Sequence, residues 1–286
     1  SIALSWVITP FISGVLAYFL FISILNYILN TSRPLHNAQR YLPFYIVFTV
    51  FVLIMVTCTK GLSHLNLNLT WFASFIYSIV MGTLAGLLGV YIVKRLRRRI
   101  DYQDRDQVRD EVERIFGILM IFTACAMAFA HGSNDIANAI GPLASVVGIV
   151  SSGGDVTGQS PIPVWILFFG AIGLITGLAM MGHKVIATVG SNITELTPSR
   201  GFAATIATAS TVVFASGVGL PVSTTQTLVG AILGVGFARG IQSLNLKVIL
   251  KILLSWVITL PAGAVLSILF FSIFVFNIKL RSIIFF

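Results

Sequence analysis

Long apolar stretches alternate with short polar breaks along most of this chain, at a period far longer than the two residues of a strand or the 3.6 of a surface helix. Crossing the hydrocarbon core of a bilayer takes about 20 apolar residues in a helix. Six stretches meet that pattern: Ile2–Leu29, Pro43–Thr59, Trp71–Val93, Ile115–Ala130, Val164–Met181 and Val248–Phe276. Two further regions, Gly132–Val150 and Gly201–Ala238, are apolar but punctuated by Gly, Pro, Asn, Ser and Thr. That punctuation predicts discontinuous or re-entrant helices, which a membrane tolerates only where they line a cavity. The fold class expected is an all-α, multi-span integral membrane protein.

Composition strengthens this reading. Hydrophobic residues make up 57% of the 286 and charged residues 9%, and mean hydropathy is +0.97. Soluble domains carry roughly 25% charged residues, so the bilayer is the solvent for this surface. The formal charge of +9 does not point to nucleic acid. Its basic residues cluster beside apolar spans, as the positive-inside rule requires. Lys94-Arg95-Leu96-Arg97-Arg98-Arg99 follows the third span and is placed in the cytoplasm, with the Arg33 and Arg40 loop on the same side. Six of the nine acidic residues share the stretch 94–114 with eight Lys/Arg, and Asp101–Arg114 reads as a solvated connecting helix. Cys58 and Cys125 lie in apolar segments and offer neither a disulfide framework nor a metal spacing. The first residues carry no charged n-region or cleavage site and are expected to be mid-span rather than a signal peptide.

A long-range repeat organises the chain. Leu4-Ser5-Trp6-Val7-Ile8-Thr9 recurs unchanged as Leu254-Ser255-Trp256-Val257-Ile258-Thr259, an offset of 250 residues. Internal repeats are a hallmark of secondary transporters. The division expected is 1–93, the end of repeat one with connecting spans; 94–114, a charged cytoplasmic loop; and 115–286, the second repeat. The offset places first-copy partners of both punctuated regions upstream of Ser1, so the chain is expected to hold only the tail of repeat one.

Two polar signatures carry the chemistry. The first is His131-Gly132-Ser133-Asn134-Asp135-Ile136-Ala137-Asn138-Ala139-Ile140-Gly141-Pro142. Asp135 has no Lys or Arg within 18 residues on either side, and a carboxylate in hydrocarbon costs at least a few kcal/mol, about 2.5 or more at the bilayer centre. An N-cap would explain one of these residues, but not Asn134, Asp135 and Asn138 together. The second is Gly217-Val218-Gly219-Leu220-Pro221-Val222-Ser223-Thr224-Thr225-Gln226. An isolated membrane Ser or Thr bonds back to its own helix, whereas a hydroxyl triplet behind Gly-x-Pro gathers donors and free N–H groups at a helix N-terminus, a ready anion site. Asp135 repels an anion, and neither motif contains Lys or Arg. A shared site therefore requires Na⁺ or H⁺ to enter with the anion, which is symport.

Gly132–Ala139 resembles the G-A-N-D-V-A-N-A signature of the inorganic phosphate transporter (Pit) family, with Ser133 and Ile136 departing from it. Pro221–Thr225 is similar to that family's P-V-S-T-T element, with Gln226 where His is common. The resemblance covers essentially the whole chain. It implies cation-coupled transport of inorganic phosphate, with inverted repeats each supplying half the site. By position, Asp135, Ser223, Thr224 and Thr225 would contact phosphate, and Asn134, Asp135 and Asn138 would hold the coupling cation, with no other metal and no cofactor. The expected surroundings are a lipid bilayer, that of the cell membrane, and a homodimer is compatible with this reading.

His131 and Asp135, four residues apart, could form an acid–base or metal pair, though a packed or hydrogen-bonded histidine is the simpler reading. Glu195 is placed to pair with Arg200 at a membrane boundary, and Asp155 reads as part of a solvent loop. Three alternatives compete with phosphate symport: a permease for another tetrahedral oxyanion such as sulfate, an intramembrane enzyme using His131 and Asp135, and an inactive remnant acting as a scaffold. The enzyme lacks a nucleophile or third ligand.

Overall fold

The computed structural model describes residues 2–58, 70–95, 104–154, 163–218, 220 and 222–284. The chain divides into two units, Ser1–Leu244 and Asn245–Phe286. The first contains α1 (Ile2–Ile24), α2 (Pro34–Val56), α3 (Trp71–Arg95), α4 (Arg105–Ser151), α5 (Val164–Ala187), α6 (Pro198–Gly217) and α7 (Thr224–Arg239). The second is the single long helix α8 (Leu246–Ile284). Six helices among the described residues are long and apolar enough to cross a membrane, namely α1 to α5 and α8.

Local chemistry sets the helix ends. Pro34 opens α2 where its missing N–H costs nothing. Asp104 caps α4, its carboxylate accepting from the Asp106 and Gln107 N–H groups at 3.0 and 3.3 Å. Gly153 and Gly154 close α4 at φ +73° and +106°, and the Gly154 N–H donates back to the Ile149 carbonyl.

Between membrane helices the hydrophobic effect supplies little attraction, so close backbone approach and hydrogen bonds take over. In the first unit α1 is sandwiched against α6 and α7. Gly230 and Gly234, one turn apart on α7, lie directly on the Pro10 and Gly14 backbone of α1. A Cβ on either would run into a carbonyl oxygen, of Pro10 or of Gly14 respectively. The pairing of 230 with 10 and 234 with 14 means that α1 and α7 run side by side in the same direction. On the far side, Gly82, Gly86 and Gly89 of α3 seat against Val47 and Ile46 of α2.

Aromatic rings tie the other elements together. Tyr45 of α2, Phe116 of α4 and Phe202 of α6 form a triangle with centroids 5.7–6.0 Å apart. The Tyr45 hydroxyl shares a 2.8 Å hydrogen bond with Ser23 of α1, and Thr123 of α4 shares one of 2.7 Å with Thr205 of α6. Glu113 of α4 caps α6, accepting from the Ser199 N–H at 2.8 Å, the Ser199 hydroxyl at 2.8 Å and the Thr197 hydroxyl at 3.0 Å. Arg200 is buried beside this cap. Its guanidinium donates to the Glu195 carbonyl at 2.8 Å, and the expected Glu195 carboxylate stands at 4.0 Å.

One expectation needs correction. The region Gly132–Val150 is not broken: α4 runs through it as one helix of 47 residues, about 70 Å long. Gly132 and Gly141 have nothing within 4 Å, so each costs the helix only its propensity, about 1 kcal/mol. Pro142 lies inside the helix and removes one backbone bond without ending it. The other punctuated region does break, between the end of α6 at Gly217 and the start of α7 at Thr224. The 94–114 connector falls partly within α4, whose charged first turns continue directly into the apolar span; residues 96–103 and Asp155 lie outside the described residues.

The two copies of the Leu-Ser-Trp-Val-Ile-Thr repeat make the same internal bond. The Thr9 hydroxyl donates to the Ser5 carbonyl at 2.8 Å, and the Thr259 hydroxyl to the Ser255 carbonyl at 2.6 Å.

The α1–α7 contact gives a stability test. Gly230→Ala pushes a methyl into backbone that cannot rotate away, so a loss of about 1–3 kcal/mol is expected. Gly177→Ala on α5, where nothing lies within 4 Å, should be neutral or gain up to about 1 kcal/mol. Thermal unfolding of the purified variants in detergent checks both signs.

Candidate functional site

The break between α6 and α7 exposes the start of a helix inside the packed unit. Ser223 is the N-cap of α7, in extended conformation with φ −89° and ψ 108°. Its hydroxyl oxygen accepts from the Gln226 N–H at 3.4 Å, which leaves its proton free to donate elsewhere. Its carbonyl accepts from the Thr227 N–H at 3.0 Å and the Thr227 hydroxyl at 2.8 Å. The capping interpretation therefore holds for Ser223, without exhausting its hydrogen-bonding capacity.

Helix α4 brings the first signature to this point. The Asn134 amide donates to the Val222 carbonyl, in the break itself, at 3.1 Å. The buried Thr224 hydroxyl donates to Asp135 Oδ1 at 3.2 Å. Asn134 Nδ2 is 3.4 Å from the same oxygen, and His131 Nε2 lies 2.7 Å from Asp135 Oδ2. Two motifs nearly 90 residues apart in sequence thus meet through one carboxylate. About a third of the Asp135 and His131 side chains remains exposed, so the cluster opens to its surroundings.

The site residues expected from sequence divide accordingly. Asn134, Asp135, Ser223 and Thr224 come together. Thr225 and Asn138 sit exposed beside them, Thr225 in the first turn of α7 and Asn138 one turn beyond Asn134 on α4. Gln226 places its buried amide oxygen Oε1 without a hydrogen-bond partner. Gly219 and Pro221 of the second signature lie outside the described residues, as does the side chain of Ser133. His131 is the residue that sequence reasoning undervalued. Its i, i+4 spacing to Asp135 was visible, but a broken helix would have spoiled it, and the helix is unbroken.

This arrangement has a chemical consequence. Thr224 has a single proton, and Asp135 takes it. The carboxylate sits near the positive end of the α7 dipole. Another acceptor can use the Thr224 donor only after Asp135 has turned away from it.

Comparison with known proteins places the chain in a family. The sequence model of the phosphate transporter family matches residues 1–267. A Haemophilus influenzae protein named as a phosphate permease is 54% identical over 275 residues, spanning 96% of this chain and 64% of its own length. A Pyrococcus furiosus protein of the same description is 38% identical over 267 residues, 93% of this chain and 62% of its own. A solved structure, described as the sodium-dependent phosphate transporter, superposes with a TM-score of 0.77 at 37% identity, covering 91% of this chain and 62% of the other. The chain thus spans just under two thirds of the length of the relatives it matches.

The cluster can be tested apart from transport. Thr224→Val strands an Asp135 lone pair in a half-buried site and should cost about 1–3 kcal/mol of stability. Thr225→Val, at an exposed position, should stay within about 0.5 kcal/mol. Melting in detergent distinguishes the two.

Proposed function

The chain belongs to the phosphate transporter family, and from that premise we propose that it contributes one half-site of a Na⁺- or H⁺-coupled symporter of inorganic phosphate. The observation that carries this reading is the Thr224–Asp135 hydrogen bond, 3.2 Å between the helix end suited to an anion and the carboxylate suited to a cation.

In the proposed cycle, the cation binds first at Asp135, with the amide oxygens of Asn134 and Asn138 as further hard ligands. Turning toward the cation, Asp135 releases the Thr224 hydroxyl. Phosphate then accepts from Thr224, Ser223 and Thr225 and from the free N–H groups of the first turn of α7. Without the cation, phosphate and carboxylate would compete for one donor and repel each other. Coupling follows from this exclusion, and no Lys or Arg from either motif is needed. The sequence repeat at an offset of 250 residues is the kind of internal repeat by which such transporters alternate access. The membrane proposed is the plasma membrane, with the basic run after α3 on the cytoplasmic side.

Hydroxyls and N–H groups read the shape and charge of a tetrahedral oxyanion, so sulfate is the competitor to include in the uptake assay. A homodimer is compatible with this reading but is not needed for it.

The decisive test uses proteoliposomes carrying this chain joined to the portion of the Haemophilus influenzae relative that it does not span. Asp135→Asn keeps the side-chain shape and removes the charge. Phosphate uptake should fall steeply, and what remains should depend less on Na⁺ or pH. Thr225→Val should instead weaken phosphate affinity by about 1–3 kcal/mol while keeping the cation dependence. Normal uptake by Asp135→Asn with unchanged cation dependence would make Asp135 structural.

A further inference from the structure

One stripe of α8 copies a stripe that α1 buries. Leu4–Thr9 and Leu254–Thr259 are identical, and the register continues through Val15 and Val265, Leu16 and Leu266, and Phe21 and Phe271. In α1 that register buries Ser5, Thr9, Ser13, Ala17 and Phe21, each 2% exposed or less. The positions 250 residues on are Ser255, Thr259, Gly263, Ser267 and Phe271. Both sets place four small residues and then a phenylalanine along one helix face. In α8 all five are exposed, Phe271 at 70% against 1% for Phe21. None of the most apolar part of α8 is buried.

The first copy shows what such a stripe accepts. Helix α1 packs against α6 and α7, and Gly230 and Gly234 of α7 rest on the backbone of Pro10 and Gly14. Pro10 and Gly14 directly follow the stripe residues Thr9 and Ser13, as Leu260 and Ala264 follow Thr259 and Gly263 in α8. Backbone meets backbone there, so most of the contact is indifferent to side-chain identity. Ala264 is the exception: a Cβ at 14 would stand 2.9 Å from the Gly230 carbonyl oxygen, so the second copy asks for a slightly wider approach. Apolar side chains gain little by leaving lipid, and a stripe of small residues is where another membrane helix comes close.

The choice of occupant follows. Helix α7 of a second copy cannot serve, because its Gly230 and Gly234 face is already covered by α1. The helix that takes the place of α7 in the other copy of the repeat has no such cover from this chain. The offset of 250 residues puts it upstream of α1, and the Haemophilus influenzae and Pyrococcus furiosus relatives have over a third of their length outside the part this chain spans.

We infer that the Ser255–Phe271 stripe of α8 docks the α7-like helix of the first repeat, side by side and in the same direction, as α1 docks α7. Each repeat thereby lends its last helix to the other. The inference rests on the repeat and on the α1–α7 contact, not on Asp135, so its failure would leave the transport reading standing.

The test uses this chain joined to the portion of the Haemophilus influenzae relative that it does not span, with a small diazirine amino acid at Thr259, Gly263 or Val257. Val257 is the control, since its counterpart Val7 is 70% exposed on α1. After illumination, peptide mapping should join positions 259 and 263, within one molecule, to the segment of the added portion that aligns with Thr224–Arg239. Position 257 should join to lipid. As a second readout, Gly263→Leu should lower the melting temperature of the joined protein by several degrees and should not lower that of the 286-residue chain, where the stripe is uncovered. The crosslinks decide the question if Gly263→Leu fails to fold. Crosslinks from 259 and 263 to lipid alone, to another segment or between two copies would overturn the proposal. So would a joined Gly263→Leu protein that melts with its parent.

Discussion

A carboxylate within an apolar membrane helix must find partners, and the way Asp135 finds them organises this structure. Its two oxygens are divided between two helices: Oδ2 faces His131 one turn earlier on α4, and Oδ1 accepts from Thr224 at the start of α7. The second bond is available because α7 begins where it does, after a break that leaves a hydroxyl and several N–H groups without partners in their own helix. An unbroken helix at 218–223 would have spent those groups internally. Conversely, an α4 broken at Gly132 would have lost the His131–Asp135 spacing. One helix must be continuous and the other interrupted for the cluster to exist.

Holding that geometry falls to contacts remote from the cluster. Glu113 grips the first turn of α6 through two hydroxyls and a backbone N–H, fixing α6 to α4. The Tyr45, Phe116 and Phe202 rings brace the same pair against α2. On the opposite side, α7 is fixed by its glycine contact with α1. These contacts trade bulk for proximity, as expected where lipid competes equally well for apolar side chains. The result is that α7, too short to span a bilayer on its own at 16 residues, is clamped among longer helices with its N-terminus turned toward α4.

Much of this was legible in the sequence, for identifiable reasons. Span lengths and the scarcity of charge dictate an all-helical membrane protein. Gly-x-Pro ahead of Ser223, Thr224 and Thr225 correctly marks the break before α7, because Ser at an N-cap after a helix breaker has few alternative uses. Gly132, Gly141 and Pro142 point the wrong way, since isolated glycines on an uncrowded helix face cost too little to end it. The glycine contact at Gly230 and Gly234 was readable as two small residues four apart, but its partner, Pro10 and Gly14, is not a local property of either segment. The Asn134 bond to the Val222 carbonyl belongs to the same class, because only the fold brings 134 to 222.

In the proposed cycle Asp135 makes anion binding conditional on a cation. Equilibrium binding of radiolabelled phosphate, with and without Na⁺ across a range of pH, addresses it directly. The sample is the purified chain joined to the portion of its Haemophilus influenzae relative that it does not span. Binding should be negligible without Na⁺ at high pH and appear when Na⁺ or protons are supplied. Phosphate binding of equal affinity in Na⁺-free alkaline buffer would contradict the account.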